Sequence, residues 1–456
     1  MRVFGAYRAL FSDRRFFRLF LPVAFPIALQ SFISALTALG PGLLVGQLGD
    51  DAIAGVSLAG QIQFVMILAA FGIGSGASIF TSQFWGKGDA EGVAHTQGVS
   101  LVLSVFVGTV FAVAAGGFPE VLLGWFTPDA GIIAEGARYL HAAAWSFPLT
   151  AVGMSYALVL RSVGDTRTPV VFALAGLIAQ WAAAGTLIFG VFGLPSLGTL
   201  GAGLALVFAK LAETGGLIIA TQVRKRPNAG LRRLLRFDRA FLGRYLKIAL
   251  PVVVSEALWS TGIAGIKAIY GWMGADQLAA AAILDSFVQL VFVVFMGTGN
   301  AAGVVIGHAI GRGRLDEANR FGRNTALLAP LAGASAAVPL AVAAPFIPLM
   351  FQVTPDVRSL ATGLIWTFCA LLPGKAFYHD MIVGVLRGGG DTTFSLFMDQ
   401  SGIWLWALPL GGVMAFWWHW PFLLVYFLIG LEEPLKSLLA LWRMKTGRWI
   451  HQVAAR

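Results

Sequence analysis

The chain has 456 residues, 57% hydrophobic and only 12% charged, with 32 Lys and Arg against 22 Asp and Glu and a formal net charge of +10. A soluble protein of this size carries roughly twice that charged fraction, and the mean hydropathy of +0.78 makes a bilayer the solvent. The positive balance does not mark a nucleic-acid binder, because Lys and Arg collect at the ends of apolar blocks and form no basic face.

The blocks, such as Val99 to Ala115, Val170 to Val191 and Ala326 to Ala344, are long enough with their flanks to cross a hydrocarbon core of about 30 Å as helices. They lack two-residue alternation and are too long for barrel strands. In chain order, spans are predicted near 19–47, 52–84, 93–117, 130–160, 168–192, 200–223, 241–273, 276–310, 319–344, 357–386, 393–415 and 420–442. The opening Arg2, Arg8, Arg14, Arg15 and Arg18 look like the start of a signal peptide. The apolar run from Leu19 to Leu48 is too long for one, so it is read as the first membrane helix. The expected fold is an all-α membrane protein of twelve transmembrane helices. Its one cysteine, Cys369, lies in an apolar run and reads as packing.

Cationic residues assign the sides. The joint after span 6 holds Arg224, Lys225, Arg226, Arg232, Arg233 and Arg236, and the joints after spans 2, 4, 8 and 10 hold Lys87, Arg161 with Arg167, Arg312 with Arg314, and Arg387. The joints near 49–51, 118–129, 193–199 and 345–356 contain no Lys or Arg. The positive-inside rule then puts both termini and the basic joints in the cytoplasm of a bacterial inner-membrane protein.

The chain also repeats itself. Pro26 matches Pro251, Gly46 matches Gly271, and Gly49, Gly72, Gly74, Gly86 and Gly88 each match a glycine 225 residues later. Leu160-Arg-Ser-Val-Gly-Asp-Thr166 echoes Leu386-Arg-Gly-Gly-Gly-Asp-Thr392 at 226. Two six-helix lobes, 1–223 and 248–456, joined by a basic linker over 224–247, are expected to form a parallel repeat, an arrangement suited to alternating access. The glycine runs at Gly72 and Gly297 lie inside apolar spans with no preceding strand, so close helix packing or a hinge outweighs a phosphate loop.

At these motifs the chain resembles the multidrug and toxic compound extrusion (MATE) family. Val45-Gly-Gln-Leu-Gly49, the segment Gly72 to Asp89, Leu160 to Thr166, Pro251-Val-Val-Val-Ser-Glu-Ala-Leu-Trp259 and Leu386 to Thr392 carry the likeness over essentially the whole chain. The resemblance implies a V-shaped pair of lobes that exchange a cytoplasmic substrate for Na+ or H+. It also exposes a departure. Many members carry an Asp where this chain has Pro41, so coupling is expected in the second half.

Charges at membrane depth need a reason, since each costs about 2.5–3.5 kcal/mol on insertion scales. Glu256 lies nine residues after Lys247 and Asp285 nine after Asp276, each about 13 Å in from opposite sides, which puts both near one level. Subtracting 225 gives Ser31 and Gly60, so the acid pair belongs to one half only. Such a pair suits proton exchange or, with other oxygens, Na+. The plainer reading pairs each acid with a buried cation, for which Lys375 is the obvious candidate. Asp380, seven residues before Arg387 and next to His379, reads equally as an inner-end ion pair or an ion site; Asp399 is a further candidate. Lys210 with Glu213 and Glu432 with Lys436 are spaced to pair within their helices. Lys267 is placed to snorkel outward, while Arg161/Asp165 and Arg387/Asp391 are read as ties of the basic joints. Trp417, Trp418 and Trp420 suit an interfacial belt. Phe64, Met66 and Phe295 are candidates to line a cavity.

The expected function is ion-coupled export of small, amphipathic or cationic molecules by a single chain among membrane lipids. No catalytic residue and no cofactor beyond the transported H+ or Na+ is expected, nor any nucleic-acid partner. A flippase for lipid-linked precursors is the alternative, disfavoured by an acidic midplane. An intramembrane enzyme is weaker still, since the six His are scattered and no His-Glu-x-x-His motif occurs.

Overall fold

The computed structural model describes residues 2–193, 195–223 and 238–454, with their side chains except those of 2–4, 38–42 and 192. The linker residues 224–237 and the side chain of Pro41 therefore lie outside the described residues. In chain order the helices are α1 (Arg2–Ser12), α2 (Arg14–Val45), α3 (Asp50–Lys87), α4 (Ala90–Gly117), α5 (Pro119–Gly124), α6 (Ala130–Ala143), α7 (Ser146–Ser162), α8 (Arg167–Phe189) and α9 (Gly198–Val223). The second half continues with α10 (Arg239–Met273), α11 (Ala275–Gly311), α12 (Leu315–Ala343), α13 (Pro355–His379), α14 (Thr392–Gly402), α15 (Leu408–Phe416), α16 (Phe422–Gly430) and α17 (Glu432–Lys445). Two π-helical stretches, Asp380–Arg387 and Ile403–Ala407, extend α13 and join α14 to α15.

Nine of the described helices are long and apolar enough to cross a membrane, and α6 with α7, bent by 54°, make a tenth. The last two expected spans are assembled from pieces: α14, its π stretch and α15 run on without a break, and α16 meets α17 at Leu431. The twelve-helix, two-repeat architecture thus stands, with no strand among the described residues.

The chain packs as two compact units, residues 29–253 and residues 1–28 together with 254–456. In the first, α3 packs on α4, α6 and α7, and α8 on α9, around a core that includes Met66, Leu140, Phe147 and Leu206. In the second, α11, α12 and α13 pack on one another around Phe295, Leu364, Ile365 and Met414. Leu10, Phe16 and Phe20 of the opening segment join Phe321, Met381 and Trp449 in a further cluster of the same unit. Met66 and Phe295, read above as possible cavity lining, are core residues.

The unit boundary falls inside α2 and α10, and the repeated glycines explain why. A Cβ on Gly72 would lie 2.7 Å from Val253 Cα, and one on Gly297 would lie 2.9 Å from Ala28 Cβ. Ala28 and Val253 are themselves 225 residues apart. Each glycine lets the first part of the other half's leading helix approach to backbone distance, as close helix packing in a bilayer requires. These glycines therefore serve packing, not phosphate. At the joints, Gly164 and Gly390 take the left-handed φ of 85° and 91° that ends the Leu-Arg-x-x-Gly motif in each half.

Candidate functional site

In the unit built from 1–28 and 254–456, the apolar helices surround a connected set of charged and polar side chains. Arg387 closes the π stretch after α13 and is buried. Its Nη1 donates to Glu256 Oε1 at 2.7 Å, and its Nη2 lies 3.4 Å from Ser255 Oγ and 3.9 Å from Asp399 Oδ2. Asp399, on α14, accepts from Tyr378 Oη at 2.6 Å and from Ser255 Oγ at 2.9 Å. Gln400 Nε2 donates to the Ser255 carbonyl at 3.1 Å. From α17, Lys436 Nζ donates to the Asp399 carbonyl at 3.0 Å, sits 4.3 Å from the centre of the Tyr378 ring and pairs with Glu432 at 3.1 Å. Buried charges survive only with such partners.

The π stretch decides who meets whom. On an α-helix, residues 380 and 387 share a face, but i→i+5 winding rotates that register. Arg387 consequently turns to Glu256 and does not pair with Asp380. Asp380 is fully buried elsewhere, accepting from Thr298 Oγ1 at 3.0 Å with His379 Nδ1 at 3.3 Å. The wider winding also lets Gly388 pack tightly: a Cβ there would lie 2.6 Å from Gly303 Cα. Gly388→Ala should force this stretch away from α11 at a cost of about 1–3 kcal/mol, read as a lower melting temperature in detergent. An unchanged melting temperature would mean that the backbone gives way freely.

Other expected contacts are corrected. Glu256 and Asp285 do not come together. Asp285 Oδ2 pairs with Lys267 Nζ at 2.7 Å, with the two side chains 46% and 50% exposed. Lys267 stands eleven residues beyond Glu256 on α10, about 16 Å along the axis. α10 begins at Arg239, eight residues before Lys247, so Glu256 lies deeper along the helix than a count from Lys247 places it. A Na+ cage of Glu256 with Asp285 is not assembled, and no cluster of three His, Cys, Asp or Glu suited to a metal occurs among the described residues. Lys375 binds Glu433 at 2.8 Å rather than either acid, and Lys267 holds Asp285 rather than only snorkelling. Arg387 does not tie Asp391, which is held by Arg443 at 2.7 Å and His451 at 3.6 Å.

Neither Arg387 as the hub nor Ser255 and Tyr378 stands out in the sequence. Lys436 and Glu432 are the helix-internal pair that their spacing predicts, and Lys436 also joins the network. One signal was available: the other half repeats the arrangement with one change. Arg161 Nε and Nη2 donate to Gln30 Oε1 at 3.1 and 2.6 Å, at the same 131-residue separation that joins Arg387 to Glu256. Gln30 is the counterpart of Ser255, and Ser31 that of Glu256, by the 225 offset. The guanidinium is shared by both halves, and the carboxylate belongs to one.

The MatE family model matches residues 22–184 and again 251–413, one match to each repeat and together more than half of the chain. The chain belongs to the MatE family. Among its relatives, "Probable multidrug resistance protein YoeA" of Bacillus subtilis is 25% identical over 86% of this chain and 85% of its own length. "Multidrug resistance protein PmpM" of Pseudomonas aeruginosa is also 25% identical, over 86% and 82%. The fold matches the solved "Outward-facing conformation of a multidrug resistance MATE family transporter of the MOP superfamily" with a TM-score of 0.84 and 17% identity, covering 94% of this chain and 96% of that one. This chain is thus a membrane transporter of the MatE family, and several of its relatives are named for multidrug resistance.

Proposed function

We propose that this MatE protein is a secondary active exporter of small amphipathic or cationic compounds, exchanged for H+ or Na+ by alternating access, with both termini on the cytoplasmic side of a bacterial inner membrane. The observation that carries the coupling is Arg387, held at 2.7 Å from Glu256 and 3.9 Å from Asp399. A proton or Na+ arriving at Glu256 neutralises the carboxylate that holds the guanidinium. Arg387 then has one charged acceptor left, Asp399, whose own grip on Tyr378 and Ser255 must readjust. Ion arrival is converted into a change of partner between α10, the π stretch and α14. Loss of the ion restores the first pair. The multidrug names of the relatives support the substrate class. A single charge moving across 100 mV supplies about 2.3 kcal/mol, roughly a fiftyfold gradient, which is sufficient for one-for-one exchange.

The test is substrate-dependent proton and sodium flux in liposomes, alongside ethidium efflux, for the parent and Glu256→Gln. The variant is expected to lose at least about tenfold in efflux, since the neutral amide can neither take the ion nor release Arg387 on demand. Efflux with unchanged ion dependence would remove Glu256 as the coupling group.

A further inference from the structure

The half that lacks the acid retains its arginine, and that leaves a charge to account for. Arg161 is half-buried at the end of α7, in the unit formed by residues 29–253. Its only hydrogen-bond acceptor among the described residues is the neutral Gln30 amide oxygen, which takes both Nε and Nη2. Among the described residues its Nη1 makes no hydrogen bond, and no carboxylate lies within 4 Å of the guanidinium. The charge of Glu213 reaches the guanidinium from beyond that distance, but it is shared with a lysine. Glu213 is held by Lys210 at 2.6 Å, and Asp165 accepts from the Thr168 amide at 3.2 Å and hydroxyl at 2.9 Å at the start of α8. In the matching place of the other repeat, Arg387 has Glu256 at 2.7 Å and Asp399 at 3.9 Å.

A half-buried guanidinium with one open N–H edge and no carboxylate in contact is a receptor for an oxyanion, because charge-assisted hydrogen bonds to carboxylate or phosphate are the strongest an arginine makes. The geometry points to Arg161, with Gln30 fixing the guanidinium plane, as a binding site for an oxyanion, the carboxylate of an exported zwitterionic or anionic compound. The two halves then divide the work: one carries acids that take cations, the other an arginine that takes anions. Chains with Glu at position 30 would satisfy Arg161 internally and bind no such group. This deepens the exporter reading, on which the word exported rests, but the site itself is a statement about binding.

The test therefore measures binding rather than transport. Rhodamine 110 carries a free carboxylate and rhodamine 123 is its methyl ester, so the pair isolates one charge on one scaffold. Fluorescence anisotropy with purified protein in phosphatidylcholine nanodiscs gives the ratio of their dissociation constants. The parent is expected to favour the acid over the ester by about tenfold. Gln30→Glu builds the arginine–carboxylate pair already present in the other half, so it should fold, and it should bring the ratio to near one. Arg161→Gln should do the same. Repeating the parent in phosphatidylglycerol nanodiscs distinguishes sources. A preference lost there, with Gln30→Glu indifferent to the lipid, supports the site with a headgroup phosphate as its occupant. A parent ratio near one in phosphatidylcholine, or a preference surviving in folded Gln30→Glu and Arg161→Gln, overturns the proposal. Failure of the exporter reading would show instead as absent efflux while the binding ratio stands.

Discussion

Arg387→Gln is expected to lower unfolding stability by about 3–5 kcal/mol, the usual cost of stranding a buried charge. The arginine is buried with Glu256 on one side and Asp399 on the other. Removing it leaves Glu256 with no cation among the described residues and Asp399 with Lys436 at 3.9 Å as its remaining charge partner. The penalty is one of desolvation, so it should shrink when the stranded acid is removed as well. Arg387→Gln combined with Glu256→Gln should regain much of the loss, since Asp399 keeps Tyr378, Ser255 and Gln400. Thermal unfolding in detergent of the two singles and the double completes a cycle. A double variant no more stable than Arg387→Gln alone would show that the stranded Glu256 carboxylate is not the source of the penalty. Efflux should be lost in both, because the double has neither switch nor ion site.

Trp449→Ala is expected to be comparably damaging, about 3–5 kcal/mol for deletion of a large buried aromatic. Trp449 is fully buried, packed 3.5 Å from where a Cβ on Gly322 would lie and against Gly389. It anchors a short antiparallel bridge between Ile450 and Gly390, with the His451 amide donating to the Gly389 carbonyl at 2.8 Å. The same tail closes over Asp391. Burial pushes that carboxyl up, but hydrogen bonds from His451 and Arg443 outweigh it and hold the group below the ordinary carboxylate range. A depressed carboxyl contributes stability that is fully present above its unfolded value, about 3.9, and is lost as pH falls through the folded value. Hydrogen-exchange protection of residues 447–454 should thus be high at pH 7, fall in acid below about pH 4, and be low at every pH in Trp449→Ala. Equal protection in the variant would show that the tail is held by something other than the indole.

The helices were legible because a bilayer imposes a length on every apolar block, and cationic residues punctuate the blocks. The joints within spans were less so. Neither the 54° bend between α6 and α7 nor the π stretches has a signal in residue spacing. The site was half legible for the same reason. Glu256 and Asp399 stood out because an acid inside an apolar block demands an explanation, and both lie in the network. Their partners depended on rotation and depth. Arg387 reads as part of a joint since it ends a span, and only π winding turns it inward. Asp285 and Glu256 look level only when depth is counted from Lys247, and α10 begins eight residues earlier. Asp391 finds its cation in Arg443, 52 residues on, and no local pattern could reveal that.

The exchange of leading segments at Gly72 and Gly297 bears on what binds the duplicated halves into one molecule. Residues 1–28 belong with the later half and residues 239–253 with the earlier one, so each bundle is completed by a stave borrowed from its twin. The covalent tether over 224–237 is then not the clasp. Severing it would leave both bundles still threaded by the other's chain, and neither could be drawn away without unpacking a helix from its glycine-lined seat.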